Sequence, residues 1–343
     1  MTAPEALAGK TLRHHAFQWH ITHRCNLSCV HCYQKDRGEE TGYDEALSIL
    51  DKYGRFLEKN GLFGHVFLTG GEPILYGRFF DVCEEIKKRG MRLSVLTNGT
   101  LIGHKEANRL AFIGPDNVQI SLDGTREVHD SVRGEGSFDR ALAGIDRLKE
   151  EGVRVLVSFT AQKGNLDSFR KLYKVCREHG VDKLWWDRVV TDDAESAEKL
   201  ALSTSEFRRF AKEAGKLYDR THKKRDGTLV SCERSLQFAL CREDNHGYIC
   251  KAGGDMIVIL ADGSVMPCRR LPFVIGNVGD GELDEIIDKS PIMAQLRNAP
   301  LPEGCSECVH AEKCGGGAKC VTYGQTGELF AKDVNCFIKG GNI

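Results

Sequence analysis

Along the first two-thirds of the chain, short runs rich in β-branched and aromatic residues alternate with longer stretches whose apolar residues recur every three or four positions. The short runs predict strands at Phe17–Ile21, Val66–Thr69, Arg92–Thr97, Val118–Leu122, Val153–Thr160 and Lys183–Val190. The longer stretches predict helices at Asp44–Lys59, Arg78–Arg89, His104–Phe112, Phe138–Glu151 and Leu166–His179. Gly61, Gly90, Gly152 and Gly180 stand at helix ends, where a C-cap favours glycine. Six strand–helix units in series imply an α/β fold with a parallel sheet, open or closed into a partial barrel. The polar, glycine-rich motifs follow the strand C-terminal ends, where such folds place their sites.

The pattern then changes. A charged stretch from Thr191 to Lys199 leads into a last amphipathic helix at Thr204–His222. From Asp226 to Ile343 the chain has many glycines, no long periodicity and most of the cysteines. A segment so rich in loops buries little apolar area, so metal ligation is expected to supply much of its folding energy. Three segments follow: 1–16 at the N-terminus, a barrel over 17–225, and a cysteine-rich unit over 226–343.

Composition narrows the function. Hydrophobic residues make up 41% and charged residues 28%, which fits a packed globular protein. Lys plus Arg is 48 against 49 Asp plus Glu, so no nucleic-acid or membrane-surface partner is implied. No run of about 18 apolar residues predicts a membrane span, and Met1 to Arg13 lacks a signal-peptide core. A cytoplasmic location is the default expectation. In a reducing compartment fourteen cysteines point to metal rather than disulfides. Three lie within eight residues, at Cys25, Cys29 and Cys32, and nine lie between Cys232 and Cys336. Cys83 and Cys176 fall inside predicted amphipathic helices and read as core packing.

The first group follows the first predicted strand. Three closely spaced thiolates can hold three irons of a cubane and leave the fourth open; a zinc site would need a fourth ligand, for which His23 or His31 is available. The Cys-x3-Cys-x2-Cys spacing after a first strand resembles that of the radical S-adenosylmethionine (radical SAM) superfamily. The resemblance implies a [4Fe–4S] cluster whose open iron chelates S-adenosylmethionine, and reductive cleavage of the sulfonium to a 5′-deoxyadenosyl radical. His31 and Tyr33 occupy positions that line the adenine side in that family. Gly70-Gly71-Glu72-Pro73 resembles its methionine-amine motif, with Glu72 able to accept from an ammonium; by itself the motif also reads as a Gly-Pro turn. Thr97-Asn98-Gly99, Ser121-Leu-Asp123-Gly124 and His129-Asp130-Ser-Val-Arg133-Gly134 follow in order. Ser121 and Arg133 match positions that touch the methionine carboxylate, and Ser158 matches a ribose contact. The likeness spans Gln18 to Val190 and implies a partial (β/α)6 TIM-like barrel.

The C-terminal thiols resemble the SPASM extension of the same superfamily, a loop-rich iron–sulfur domain with two auxiliary [4Fe–4S] clusters, which makes three clusters in all. The family pattern assigns Cys305, Cys308, Cys314 and Cys336 to an outer cluster and Cys250, Cys268 and Cys320 to an inner one. For the inner fourth ligand Cys241 is nearest, with Cys232 behind it; an iron open to a substrate thiolate is the alternative. Five residues separate Cys314 from Cys320 where the family more often has three, an insertion that Gly315-Gly316-Gly317 can absorb. Structural zinc knuckles are the other reading of this region.

SPASM enzymes mostly act on ribosomally made peptides, forming thioethers or other crosslinks or oxidising a side chain, and that is the substrate class the resemblance implies. Sulfatase-maturing relatives carry an Asp after the Gly-x4-Cys thiol; here the position is Arg269, followed by Arg270, which argues against formylglycine formation unless Asp255 or Asp262 substitutes. The two arginines suit an acidic peptide or a loop cap equally. Only 24 residues precede Cys25, so a separate leader-binding protein is expected, or recognition by another surface. A flavodoxin- or ferredoxin-like protein is the expected reductant. Two alternatives stand: action on a small molecule or cofactor precursor such as a tetrapyrrole, and a non-catalytic iron–sulfur electron carrier. One of Trp185 and Trp186 is expected to face the barrel interior, where it can contact substrate; core filling is the equal alternative.

Overall fold

The structure, a computed structural model, describes residues 13–34, 39–224, 227–240 and 247–338. Its first half runs β1 (Arg13–His20), α1 (Tyr43–Asn60), β2 (Leu62–Thr69), α2 (Phe79–Lys88), β3 (Arg92–Thr97), α3 (His104–Ile113) and β4 (Asn117–Ser121). Then come α4 (Arg126–Arg133), α5 (Ser137–Glu150), β5 (Val155–Ala161), α6 (Phe169–Glu178), β6 (Lys183–Arg188), α7 (Ala194–Leu200) and α8 (Thr204–Lys224). All six expected strands are present. The segment His129–Arg133, read as a motif, lies in the short helix α4, and the charged stretch before the last helix forms α7, which Asp193 caps by accepting from Ser196 N.

Strands β1 to β6 pair in sequence order and in parallel, as right-handed strand–helix units do. β1 and β6 do not pair with each other, so the barrel is open. The cysteine-rich part contributes to the same sheet. β7 (Leu229–Val230) adds to β6, and β8 (Met256–Ile259) adds in parallel to β1, followed by antiparallel β9 (Ser264–Met266) and β10 (Gly276–Asn277). Beyond them lie short helices α9 (Leu283–Asp288), α10 (Pro291–Arg297), α11 (Ala311–Cys314) and α12 (Lys319–Thr326).

Side-chain alternation separates a dry outer face from a more polar inner one. Phe17, Trp19, Val66, Leu68, Leu93, Val95, Val118, Ile120, Val155, Val157, Leu184 and Trp186 are all buried against the helices. By register, Gln18, His20, Gln119, Ser121, Ser158, Trp185 and Asp187 share the opposite, interior face. Trp185 is therefore the interior tryptophan, its Nε1 donating to Gln119 Oε1 at 2.8 Å, while Trp186 packs edge-on against Phe210. Phe67, Leu96 and Leu156 fall on the same face, so polar groups are mixed with apolar ones where a barrel filled for stability alone would carry apolar layers. Cys83 and Cys176 are buried in α2 and α6 within the main core.

Candidate functional site

The first three thiols occupy the loop after β1, at the C-terminal rim of the barrel. Cys32 N donates to Cys29 O at 3.1 Å, closing a turn, and Cys25 and Cys32 are exposed. The loop has no regular structure, so other segments fix it. Gly71 N donates to Thr22 O and Glu72 N to Arg24 O, both at 2.8 Å, and Val30 N donates to Val132 O at 2.9 Å. A Cβ at Gly71 would run into the Arg24 and His23 backbone, and one at Gly70 into Thr22. These glycines thus allow two backbones to lie against each other. Asn26 extends the staple, accepting from Asn98 Nδ2 and donating to Thr100 Oγ1, both at 2.9 Å.

Glu72 has 0% exposure. Its Oε1 accepts from Thr97 Oγ1 at 2.7 Å and its Oε2 from Asn98 N at 2.8 Å, which ties the Gly70–Pro73 turn to the end of β3. Burial outweighs these bonds and lifts its carboxyl to about 7. Pro73, also buried, opens a single 3-10 turn. Ser121 and Ser158 are direct partners across β4 and β5, with hydroxyls 3.4 Å apart. Arg133, at the end of α4, bonds Asp123 Oδ2 through Nε at 2.6 Å and lies 3.8 Å from the Cys29 sulfur and 3.4 Å from His31 Nε2. Asp123 is held well below the usual carboxylate range despite its burial, chiefly by Arg133 and then by His31. Burial also pushes the Cys29 thiol up to about 11 and the His31 imidazole down to about 4. Tyr33 carries the Arg269 guanidinium over its ring at 5.2 Å and lies near enough to feel the charges of both Cys268 and Cys32.

The C-terminal thiols gather in two places. Cys305, Cys308, Cys314 and Cys336 together line one cavity of about 520 Å³, with Asp333 and Lys332 on its wall. Cys250, Cys268 and Cys320 pack with Leu271 and Tyr323 in a separate cluster and perturb one another electrostatically. Burial raises Cys320 and Cys314 to about 12, so these thiols ionise only when a cation takes the proton's place. Cys232 packs in the barrel core, apart from the Cys250 group, and Cys241 lies outside the described residues. Among the described residues no three His, Cys, Asp or Glu side chains close around one metal ion. A cubane interposes iron and sulfide between its thiolates, and four thiols ringing a cavity fit that wider cage.

Two ion-pair systems were not apparent from motif spacing. Arg188 on β6 forms a buried fork with Asp333, at 2.7 and 2.8 Å, and a 2.9 Å bond to Asn335. Asp333 also accepts from Ala318 N at 2.8 Å, joining the outer thiol loop to the helix carrying Cys320. On the interior face, Asp187 accepts from Arg270 at 2.6 Å and pairs with Arg234 at 3.7 Å. The placement of Asp333 and Asn335 just before Cys336 was the available signal, but their partner lies more than 140 residues earlier.

An open parallel barrel with three thiols at its rim and two further thiol groups beside it defines a class, and the chain belongs to the Radical SAM superfamily, whose profile matches residues 19–190. An iron–sulfur cluster-binding SPASM domain matches residues 250–309. The chain is 28% identical to the pre-heme d1 synthase of Dinoroseobacter shibae, over 93% of this chain and 85% of that protein. It is 30% identical to the mycofactocin maturase MftC of Mycobacterium ulcerans, over 93% and 86% respectively. Its fold is similar to that of Streptococcus suis SuiB bound to S-adenosylmethionine, with TM-score 0.77 at 17% identity, covering 95% of this chain and 78% of SuiB. The protein is thus a radical SAM/SPASM enzyme with oxidoreductase-type chemistry.

Proposed function

We propose that this enzyme modifies a ribosomally made peptide, by crosslinking or oxidation, at the C-terminal rim of the barrel. The observation that carries the radical chemistry is the convergence at one rim of the three-thiol loop, the Gly70–Pro73 turn stapled to it, and Arg133 beside Cys29. Cys25, Cys29 and Cys32 would hold a [4Fe–4S] cluster with one open iron. Cys305, Cys308, Cys314 and Cys336 would hold the outer auxiliary cluster, and Cys250, Cys268, Cys320 and Cys241 the inner one. When bound, the first cluster supplies the electron that reductively cleaves S-adenosylmethionine to a 5′-deoxyadenosyl radical. The chain's own part is to place that cofactor. Gly70–Pro73 offers backbone polar groups to the methionine ammonium, with Glu72 holding the turn in place. Ser121 and Arg133 meet the carboxylate, Ser158 the ribose, and His31 and Tyr33 the adenine side. The peptide maturase among the relatives supports this substrate class.

A second reading, action on a tetrapyrrole, is favoured by the likeness to a pre-heme d1 synthase over most of both chains. One experiment separates the two. The reconstituted enzyme is incubated without air with S-adenosylmethionine, a flavodoxin-type reductant, and either candidate peptides from neighbouring reading frames or iron-coproporphyrin III, and products are weighed by mass spectrometry. Loss of hydrogen from a peptide supports the first reading; change in the porphyrin alone overturns it. Replacing Cys25, Cys29 and Cys32 by Ala is expected to remove about a third of the bound iron and all 5′-deoxyadenosine formation.

A further inference from the structure

Other arginines near the site have a carboxylate. Arg133 has Asp123 at 2.6 Å, Arg188 has Asp333 at 2.7 Å, and Arg270 has Asp187 at 2.6 Å. Arg269 has none among the described residues. It is only 9% exposed, and among the described residues its Nε has no hydrogen-bond partner and its one polar contact is a 3.4 Å bond from Nη2 to the Tyr33 carbonyl. Arg188 also leaves its Nε unbonded, but its two terminal nitrogens grip Asp333. A guanidinium stays charged in a protein, and a mostly buried one without a carboxylate leaves donor capacity unused, here at Nε. The fold nevertheless holds Arg269 in place, stacked on Tyr33. His20, on the interior face of β1, is bonded through Nε2 to Gln18 at 3.1 Å and also engages Gln34, while its buried Nδ1 lacks a direct partner among the described residues; it lies close enough to feel the Arg269 charge. Arg269 follows Cys268 and Tyr33 follows Cys32, so this contact is the seam between the first thiol loop and the inner thiol group.

We infer that Arg269, stacked on Tyr33 with His20 nearby, is a receptor for a carboxylate of the substrate, which it holds between the two thiol groups. The inference deepens the proposed function and rests on its placing the reaction at the barrel rim. A planar fork with free donors matches a carboxylate in shape as well as charge. For a peptide the partner is an Asp or Glu side chain or the C-terminus; for a tetrapyrrole it is a propionate. In either case the recognised group is the same, and Arg270, already engaged by Asp187, does not compete for it.

The test uses the iron-loaded enzyme with S-adenosylmethionine bound, and glutarate as a bare dicarboxylate probe, read by melting temperature without air. Wild type is expected to show a saturable rise with glutarate and none with neutral glutaramide. Arg269→Gln is expected to weaken the glutarate response by at least about tenfold, with Arg269→Lys between the two. Two further pairs identify the source of the carboxylate: a Glu-containing hexapeptide against its Gln counterpart, and iron-coproporphyrin III against its tetramethyl ester. A preference for the acid in one pair that Arg269→Gln abolishes supports the assignment. A wild type indifferent to charge in all three pairs overturns it, and so does a variant responding as wild type does. Loss of iron from Arg269→Gln also overturns it, by making the arginine a counter-charge of the thiol cage. Absence of iron or of S-adenosylmethionine cleavage in wild type would instead strike the reading on which the site rests.

Discussion

At the scale of single residues, the site depends on buried ionisable groups whose charge is settled by immediate neighbours. Glu72 illustrates the sign. Below about pH 4.5 it is protonated in the folded and the unfolded chain alike. As pH rises through about 7 the folded chain must bury the anion, and the stability contributed by the protonated form, roughly 3 kcal/mol at most, is lost. The melting temperature of wild type minus that of Glu72→Gln, measured in protein without S-adenosylmethionine, should therefore fall between about pH 4.5 and 7 and level off above. A flat difference would show that Glu72 is ionised throughout. Asp123 behaves oppositely, since Arg133 holds its carboxylate charged. Asp123→Ala leaves Arg133 buried without a partner, and chemical denaturation should register a loss of about 3–5 kcal/mol. The Cys-x3-Cys-x2-Cys signature was readable in the sequence because its thiols sit within eight residues. Asp123 stood out only as part of a strand-end motif, and its pairing with Arg133 and His31 required the fold.

Between elements, the decisive contact is backbone against backbone. The thiol loop after β1 and the Gly70–Pro73 turn after β2 approach so closely that a methyl group at Gly71 would displace one of them. Gly71→Ala should lower stability by about 1–3 kcal/mol. It should also impair loading of the first cluster, seen as a loss of up to a third of the iron while the auxiliary thiols stay loaded. Full iron content with an unchanged melting temperature would show that the turn yields without cost. The periodicity located the strands because each has one face dry against helices, as Phe17 and Trp19 do. It was less informative for α4. Most of that helix's surface is polar, and only His129 and Val132 are buried, so its sequence shows a motif more plainly than an apolar stripe.

Across the whole molecule, the cysteine-rich part is joined to the barrel by more than its linker. β8 lies along β1, and the Arg188–Asp333–Asn335 bonds tie the end of β6 to the loop before Cys336. Arg188→Met removes one partner of a buried pair and should cost about 3–5 kcal/mol in thermal or chemical unfolding. Its signature should be selective: iron of the outer cage falls, while 5′-deoxyadenosine formation at the first thiol loop persists. Equal loss of all iron would mean that the pair supports the entire fold.

By itself the sequence determined the alternation of strands and helices, the family resemblance and the grouping of thiols into candidate cages. All of these are local: they are set by spacing within one strand, one helix turn or one loop. Only the tertiary structure decided that β8 extends the barrel sheet, that Trp185 rather than Trp186 faces inward, and that Arg269, unlike Arg133, Arg188 and Arg270, meets no carboxylate among the described residues. Those outcomes depend on register and on charges brought together from distant positions, and a buried charge shows its need for a partner only when the surrounding walls are known.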